Sequence, residues 1–197
     1  MSVLPIYLYG SEVLRKKARP VPELDNSLIK LAYDMAETMH KANGIGLAAT
    51  QVGDLRRIIV VDQSSVEEAE AEEENTDSKR PTNGQQRTLV LINPVVLLEE
   101  GSWSMEEGCL SIPEVRAAVR RPAAARVKFL DANFREVEMA AEGLLGRVIL
   151  HEIDHLNGVL FVDLLSKTKR TLLRPALKKI KQGDVETSYP IVSAVEA

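Results

Sequence analysis

Residues 142–158 read EGLLGRVILHEIDHLNG, and the rest of the fold is arranged around how this run is interpreted. The pattern predicts a helix from about Glu142 to Leu156, stopped by Asn157-Gly158. On such a helix His151 and His155 share a face, with Cβ atoms about 5–6 Å apart, so both imidazoles reach one metal ion. Glu152 lies about 100° round from His151, close enough to touch water at that ion without ligating it. A metal there polarises a carbonyl and lowers the pKa of water, while the carboxylate handles the proton. Taken alone, the pattern also fits a surface helix that happens to carry two histidines.

Working outward, a first helix is predicted over about residues 27–42, where Leu28, Leu31, Ala32, Met35, Ala36 and Met39 form one apolar stripe. Asp25, Asn26 and Ser27 offer N-cap side chains, and Asn43-Gly44 supplies the stop. Short strands are expected at Leu47–Ala49, Arg57–Val61, Thr88–Ile92, Val95–Leu98, Val115–Val119, Arg126–Leu130 and Glu136–Met139. Asp131-Ala132-Asn133 marks a hairpin between the last two. A basic helix should run from about Ser166 to Gln182, kinked or split by Pro175. Strands grouped ahead of helices, without regular βαβ alternation, predict an α+β fold. Its mainly antiparallel sheets would pack around the central metal-binding helix, with an N-terminal helix and a C-terminal basic helix.

The chain has 197 residues, 27% charged and 45% hydrophobic, a length that suits one domain over residues 1–197. No run approaches about 18 consecutive apolar residues, which excludes a membrane-spanning helix. Met1 to Gly10 lacks the basic and apolar regions of a secretory signal. The single cysteine, Cys109, permits no intrachain disulfide and suits a reducing, cytoplasmic setting. Residues 62–87 hold eight acids against three bases, a balance of −5 that leaves the remainder at +1 of the chain's −4. Such a run repels itself and buries little, so it reads as a solvated, mobile and dispensable insert. Residues 166–197 read as a basic helix and tail.

Two histidines are too few for a hydrolytic metal site, which takes three protein ligands and leaves one position open. His155-Leu156-Asn157-Gly158 begins a metzincin pattern, but position 161 is Phe161 and no histidine follows. His40, near the end of the first helix, reads as a helix-end cation or surface residue. That leaves Cys109, in Glu106-Glu107-Gly108-Cys109-Leu110-Ser111-Ile112-Pro113, an irregular or edge segment that can aim a thiolate at a neighbouring element. A third stretch, Gly44-Ile45-Gly46-Leu47-Ala48-Ala49-Thr50-Gln51-Val52-Gly53, is small enough for close backbone approach to a helix or a substrate. Spacing alone assigns Gln51 no catalytic role.

Together these three segments resemble, in order, the signatures of the peptide deformylase family. The resemblance also takes in Leu4–Arg19, the hairpin and Gly158–Leu165, but not residues 62–87 or the extreme C-terminus. It implies that Cys109, His151 and His155 bind the metal and that Glu152 is general base and then acid. It further implies an oxyanion hole from the Gln51 side-chain amide and the Leu110 backbone N–H. The implied substrate is the N-formylmethionyl end of a new polypeptide, with formate as product. The implied metal is iron(II), with zinc, nickel or cobalt able to take its place. Ile45, Gly46 and Val148 are the candidate substrate-binding residues, Ile45 and Val148 as an apolar methionine pocket.

Leu150 stands where the family usually has glutamine, so a hydrogen bond around the metal ligands is expected to be missing. Asp154 is expected to anchor the helix, with Arg121 as partner on the family resemblance. The basic helix carries Lys167, Lys169, Arg170, Arg174, Lys178, Lys179 and Lys181, which the resemblance links to ribosomal RNA. A monomer is expected. The competing readings are a zinc peptidase, disfavoured by the residue at 161, and a module with a structural metal, disfavoured by only three strong ligands.

Overall fold

The computed structural model describes residues 2–73 and 87–196. Its elements in chain order are β1 (Ile6–Tyr7), α1 (Asn26–Lys41), β2 (Gly46–Ala48), β3 (Ile58–Asp62), α2 (Gln63–Glu73) and β4 (Thr88–Glu100). Then come β5 (Trp103–Cys109), β6 (Ile112–Arg121), β7 (Ala124–Leu130), β8 (Glu136–Glu142), α3 (Gly143–Leu156), α4 (Lys167–Lys181) and β9 (Ile191–Val192). Strands β2-β3-β4-β7-β8 form one antiparallel sheet in that order; β5 and β6 form a separate hairpin, and β1 pairs in parallel with β9. The α+β class expected from the sequence is the class found. Among the described residues, no helix is long and apolar enough to cross a membrane.

The five-stranded sheet is covered on both faces, which explains the unbroken apolar run of β3. Ile59 and Val61 point to α3, packing with Val148, Ile149, Ile153 and Leu156. Ile58 and Val60 point the other way, against Leu28, Leu31, Met35 and Met39 of α1. A third cluster joins Leu177 and Ile180 of α4 to Ile112, Val115 and Val119 of β6 and to Phe161. Each fully buried aliphatic side chain in these clusters is worth about 1.5–3 kcal/mol of transfer free energy.

Helix termini follow the caps read in the sequence. Asp25 accepts a hydrogen bond from the Leu28 N–H at 2.7 Å. Asn43 takes the left-handed conformation at φ 53°, and the Gly44 N–H returns to the Met39 carbonyl at 2.9 Å. At the end of α3, Gly158 has φ 76°, and a Cβ there would meet the Arg15 carbonyl at 2.5 Å, so glycine is required twice over. The Asp131 hairpin forms between β7 and β8, its carboxylate accepting from the Asn133 and Arg135 N–H groups.

Three expectations are corrected. The acidic insert is not a solvated loop throughout: residues 63–73 form α2, whose Val66 is 2% exposed and lies in the core under α3. Val66 and two alanines among carboxylates leave no clear apolar stripe, so the helix is not apparent in sequence. The rest of the insert, residues 74–86, lies outside the described residues. Second, Pro175 sits inside a continuous α4, so of the kink or split expected there the split does not occur. It removes one N–H, but its flank is exposed, so water can serve the freed carbonyl. Third, the two strands expected at 88–98 are one strand with irregular register at Ile92/Val95 and Val96/Leu98. Cys109 does lie where an irregular or edge segment was expected, at the end of an edge strand whose register shifts between Glu107 and Cys109.

Helix α3 has no N-cap of its own, because Glu142 makes no capping bond. Glu70 of α2 substitutes, accepting from the Leu144 N–H at 2.7 Å. Glu70→Ala should therefore cost about 1 kcal/mol and lower Tm by about 2–4 °C. Calorimetry checks this, and hydrogen exchange should show faster exchange at Leu144.

Candidate metal centre

Two elements that are distant in sequence build the site. The β5–β6 hairpin closes through the two-residue turn Leu110–Ser111, with Cys109 paired to Ile112. Helix α3 lays His151, Glu152 and His155 against that turn, at 8%, 4% and 1% exposure. The Cys109 Sγ lies 3.2 Å from the His155 Nε2, which lies 3.2 Å from the His151 Nε2. All three donor atoms fall within 4.8 Å of one another, and no other such cluster occurs among the described residues. His40 is elsewhere, 3.5 Å from the Asp62 carboxylate.

One sulfur and two imidazoles suit a divalent transition metal and not calcium or magnesium, which take oxygen ligands. Three donors leave a fourth position open. The electrostatics also favour a cation. Burial opposes charge on His151, but the Cys109 sulfur and the Glu107 carboxylate outweigh it and lift its pKa to about 10. His155 goes the opposite way, driven well down by burial and then by positive His151. The pull that the Cys109 sulfur and the Glu107 carboxylate exert on a proton at His151 is the same attraction a metal cation would meet there.

Glu107 organises the surroundings. Its Oε2 lies 3.0 Å from the His151 Nδ1, which turns the Nε2 towards Cys109. Arg121 donates to both of its oxygens at 2.5 and 3.1 Å, and Arg147 to one at 2.6 Å. Burial alone would raise the Glu107 pKa; the hydrogen bonds from His151 and Arg121 overcome it and hold the carboxyl at about 2. Arg121 also donates to Asp154 at 2.7 Å, the pairing expected from the family resemblance. Glu152, by contrast, has a buried Oε2 without a hydrogen-bond partner. Burial pushes its pKa up to about 7.

Gln51 stands in a short 3-10 turn after β2. Its Oε1 accepts from the Ala48 N–H at 2.8 Å, which fixes the amide so that Nε2 faces Cys109 Sγ at 3.6 Å and Ser111 Oγ at 3.3 Å. Gly46 cannot carry a side chain: a Cβ would lie 2.6 Å from the Glu152 Oε1 and 2.7 Å from the Val148 Cγ1. A cleft of about 560 Å³ is lined by Ile45, Gly46, Gln51, Cys109, Leu110, Val148, His151 and Glu152. His155 sits behind it. Leu150 is buried in the core beside Ile149 and makes no polar contact there.

Four contributors were not singled out in the sequence: Glu107, Ser111, Arg147 and Tyr189. Arg147 had a usable signal, a lone charge one helical turn before His151 in an apolar run. It stacks over Trp103, its guanidinium carbon 4.6 Å from the ring centroid. Glu107 and Ser111 lie in the motif around Cys109 but nothing in it showed their partners, and Tyr189 had no signal, since all three are matched by tertiary packing.

The comparisons with known proteins agree with this geometry. The family model described as polypeptide deformylase matches residues 3–171. A peptide deformylase from Salinibacter ruber is 47% identical over 192 residues, covering 97% of this chain and 95% of its own length. One from Thermodesulfovibrio yellowstonii is 45% identical over 181 residues, covering 92% of this chain and all of its own. Among solved structures, a peptide deformylase from Legionella pneumophila superposes with a TM-score of 0.78 at 38% identity, covering 93% of this chain and 98% of that one. The Ehrlichia chaffeensis enzyme in complex with actinonin gives 0.77 at 35% identity, covering 94% and 100%. By sequence over most of its length, and by fold, the chain belongs to the polypeptide deformylase family.

Proposed function

We infer that the protein hydrolyses the formyl C–N bond of N-formylmethionine at the start of newly synthesised polypeptides, releasing formate. The observation that carries this reading is one buried carboxylate, Glu152, beside a three-donor cluster at the floor of an open cleft. Cys109, His151 and His155 would hold the metal, iron(II) by family resemblance, with zinc, nickel or cobalt as substitutes. When bound, the ion supplies Lewis acidity at the formyl oxygen and lowers the pKa of water at the open position.

The remaining work falls to the chain. Glu152 takes the proton from the attacking water; its elevated pKa of about 7 suits a group that must hold a proton and then release it. Negative charge develops on the formyl oxygen, where the Gln51 Nε2 and the Leu110 N–H are the candidate donors. Each such donor is worth about 2.7–4 kcal/mol of transition-state stabilisation. Glu152 then delivers the proton to the departing amine, which leaves as a neutral group. Ile45 and Val148 would receive the methionine side chain, and Gly46 would admit the substrate backbone close to Glu152. Actinonin bound to the related Ehrlichia chaffeensis enzyme is consistent with a cleft that accepts ligands.

We read residues 1–197 as one domain working in the cytoplasm. Helix α4 buries Leu177 and Ile180 and exposes Lys167, Lys169, Arg170, Arg174, Lys178, Lys179 and Lys181. That basic face is the candidate for contact with ribosomal RNA, which would bring the enzyme to its substrate.

Anaerobically prepared protein should release formate from a formyl-Met tripeptide and leave the unformylated peptide whole; cleavage of the latter would favour a peptidase. Glu152→Gln should keep its metal by elemental analysis and lose about 10²–10⁴-fold in kcat. Cys109→Ser should weaken or exchange the metal, since a hydroxyl is a poorer ligand for soft ions. Full iron(II) occupancy in that variant would contradict the ligand assignment.

A further inference from the structure

The family match ends at residue 171, yet Tyr189 lines the cleft together with Cys109 and Leu110. After α4 the chain turns at Gly183, φ 75°, and returns to pair β9 with β1. The Ile6 N–H donates to the Pro190 carbonyl and the Leu8 N–H to the Val192 carbonyl, each at 2.9 Å. The backbone beside Tyr189 is therefore anchored in a strand pair. From there its ring packs against the core under α1, and its hydroxyl donates to the Leu110 carbonyl oxygen at 2.8 Å. Burial pushes the Tyr189 pKa up to about 12, so the hydroxyl keeps its proton and remains a donor at neutral pH.

The acceptor lies in an otherwise thinly held turn. Leu110 and Ser111 link β5 to β6 outside the strand ladder. The Tyr9 N–H donates to the Ser111 carbonyl at 2.8 Å, and Gln51 reaches the Ser111 Oγ at 3.3 Å. Leu110 joins two peptide planes: its N–H belongs to the first and its carbonyl to the second. With the Ser111 carbonyl pinned, a bond to the Leu110 carbonyl stops the turn rotating and so fixes the direction of the Leu110 N–H.

We propose that Tyr189 is a positioning residue for deformylation: its hydroxyl, by holding the Leu110 carbonyl, keeps the Leu110 N–H aimed at the formyl oxygen. This rests on the oxyanion reading of Leu110 given above. It makes the segment after α4 part of the active site, although that segment carries none of the three family motifs.

Tyr189→Phe tests it, because the ring and its packing are kept and only the hydroxyl is lost. Loss of a whole oxyanion donor costs about 10²–10³-fold, so loosening one should lower kcat by about 3- to 30-fold. KM should stay within about twofold, with metal content and Tm as in wild type; a merely structural residue would shift Tm and leave kcat per metal-loaded site alone. The backbone ¹⁵N resonance of Ser111 in the zinc-loaded protein should also move, reporting the lost bond independently of turnover. An unchanged kcat, a loss expressed only in KM, or an unmoved Ser111 resonance would each overturn the proposal. A wild-type protein that releases no formate would overturn the deformylase reading beneath it, and is told apart by that control.

Discussion

One buried carboxylate, Glu107, holds the site together. It belongs to β5, yet it accepts hydrogen bonds from Arg121 of β6 and Arg147 of α3 and meets the His151 ring of α3. The metal-ligating candidates come from the same two sources, Cys109 from β5 and the histidines from α3. Any shift of the hairpin along the helix that moved the sulfur would also break these bonds. The carboxylates of Glu107 and Asp154 oppose the Arg121 and Arg147 guanidiniums, and Glu107 also faces the His151 ring. Breaking a buried pair of this kind by removing one partner costs about 3–5 kcal/mol, because the remaining charge has no water to turn to. The network thus makes one hairpin position far lower in energy than its neighbours.

Helix α3 is constrained along its whole length by other parts of the chain. Glu70 caps its first turn, the sheet packs its apolar face, and Thr50 donates to the His155 carbonyl at 3.2 Å near its end. The Thr50 contact matters chemically because Gln51 is the next residue. The same short turn that fastens the helix end therefore sets the amide facing Cys109. Glu152, meanwhile, is left in a buried place with one oxygen unpaired, the setting that raises its pKa. Packing supplies rigidity around the site and leaves one proton-carrying group unsatisfied within it.

Much of this was legible in the chain. The stripe from Leu28 to Met39 and the Asp25 cap gave α1 to within a residue at each end. The spacing of His151 and His155 gave their shared face, and the absence of a histidine at 161 pointed to Cys109. The α2 helix was not legible, because it rests on a single core contact from Val66 and a cap it gives to another helix. Nor was the role of Glu107, which in sequence is one acid in an acidic pair. Pro175 was read from local rules that predict a kink or a split, and the buried Leu177 and Ile180 beyond it keep the helix from splitting.

By itself the sequence determined the chemistry and much of the local conformation: which side chains can ligate, which can move a proton, and where α1, α3 and α4 begin and end. These depend on covalent spacing and on hydrogen bonds between near neighbours, so a short window contains them. Only the tertiary structure decided what those groups face. The thiol and the imidazoles are separated by some forty residues, Tyr189 and Leu110 by nearly eighty, and Glu70 and Leu144 by more than seventy. Contacts of that range come from sheet register and core packing, which are fixed by the whole chain burying its apolar surface at once.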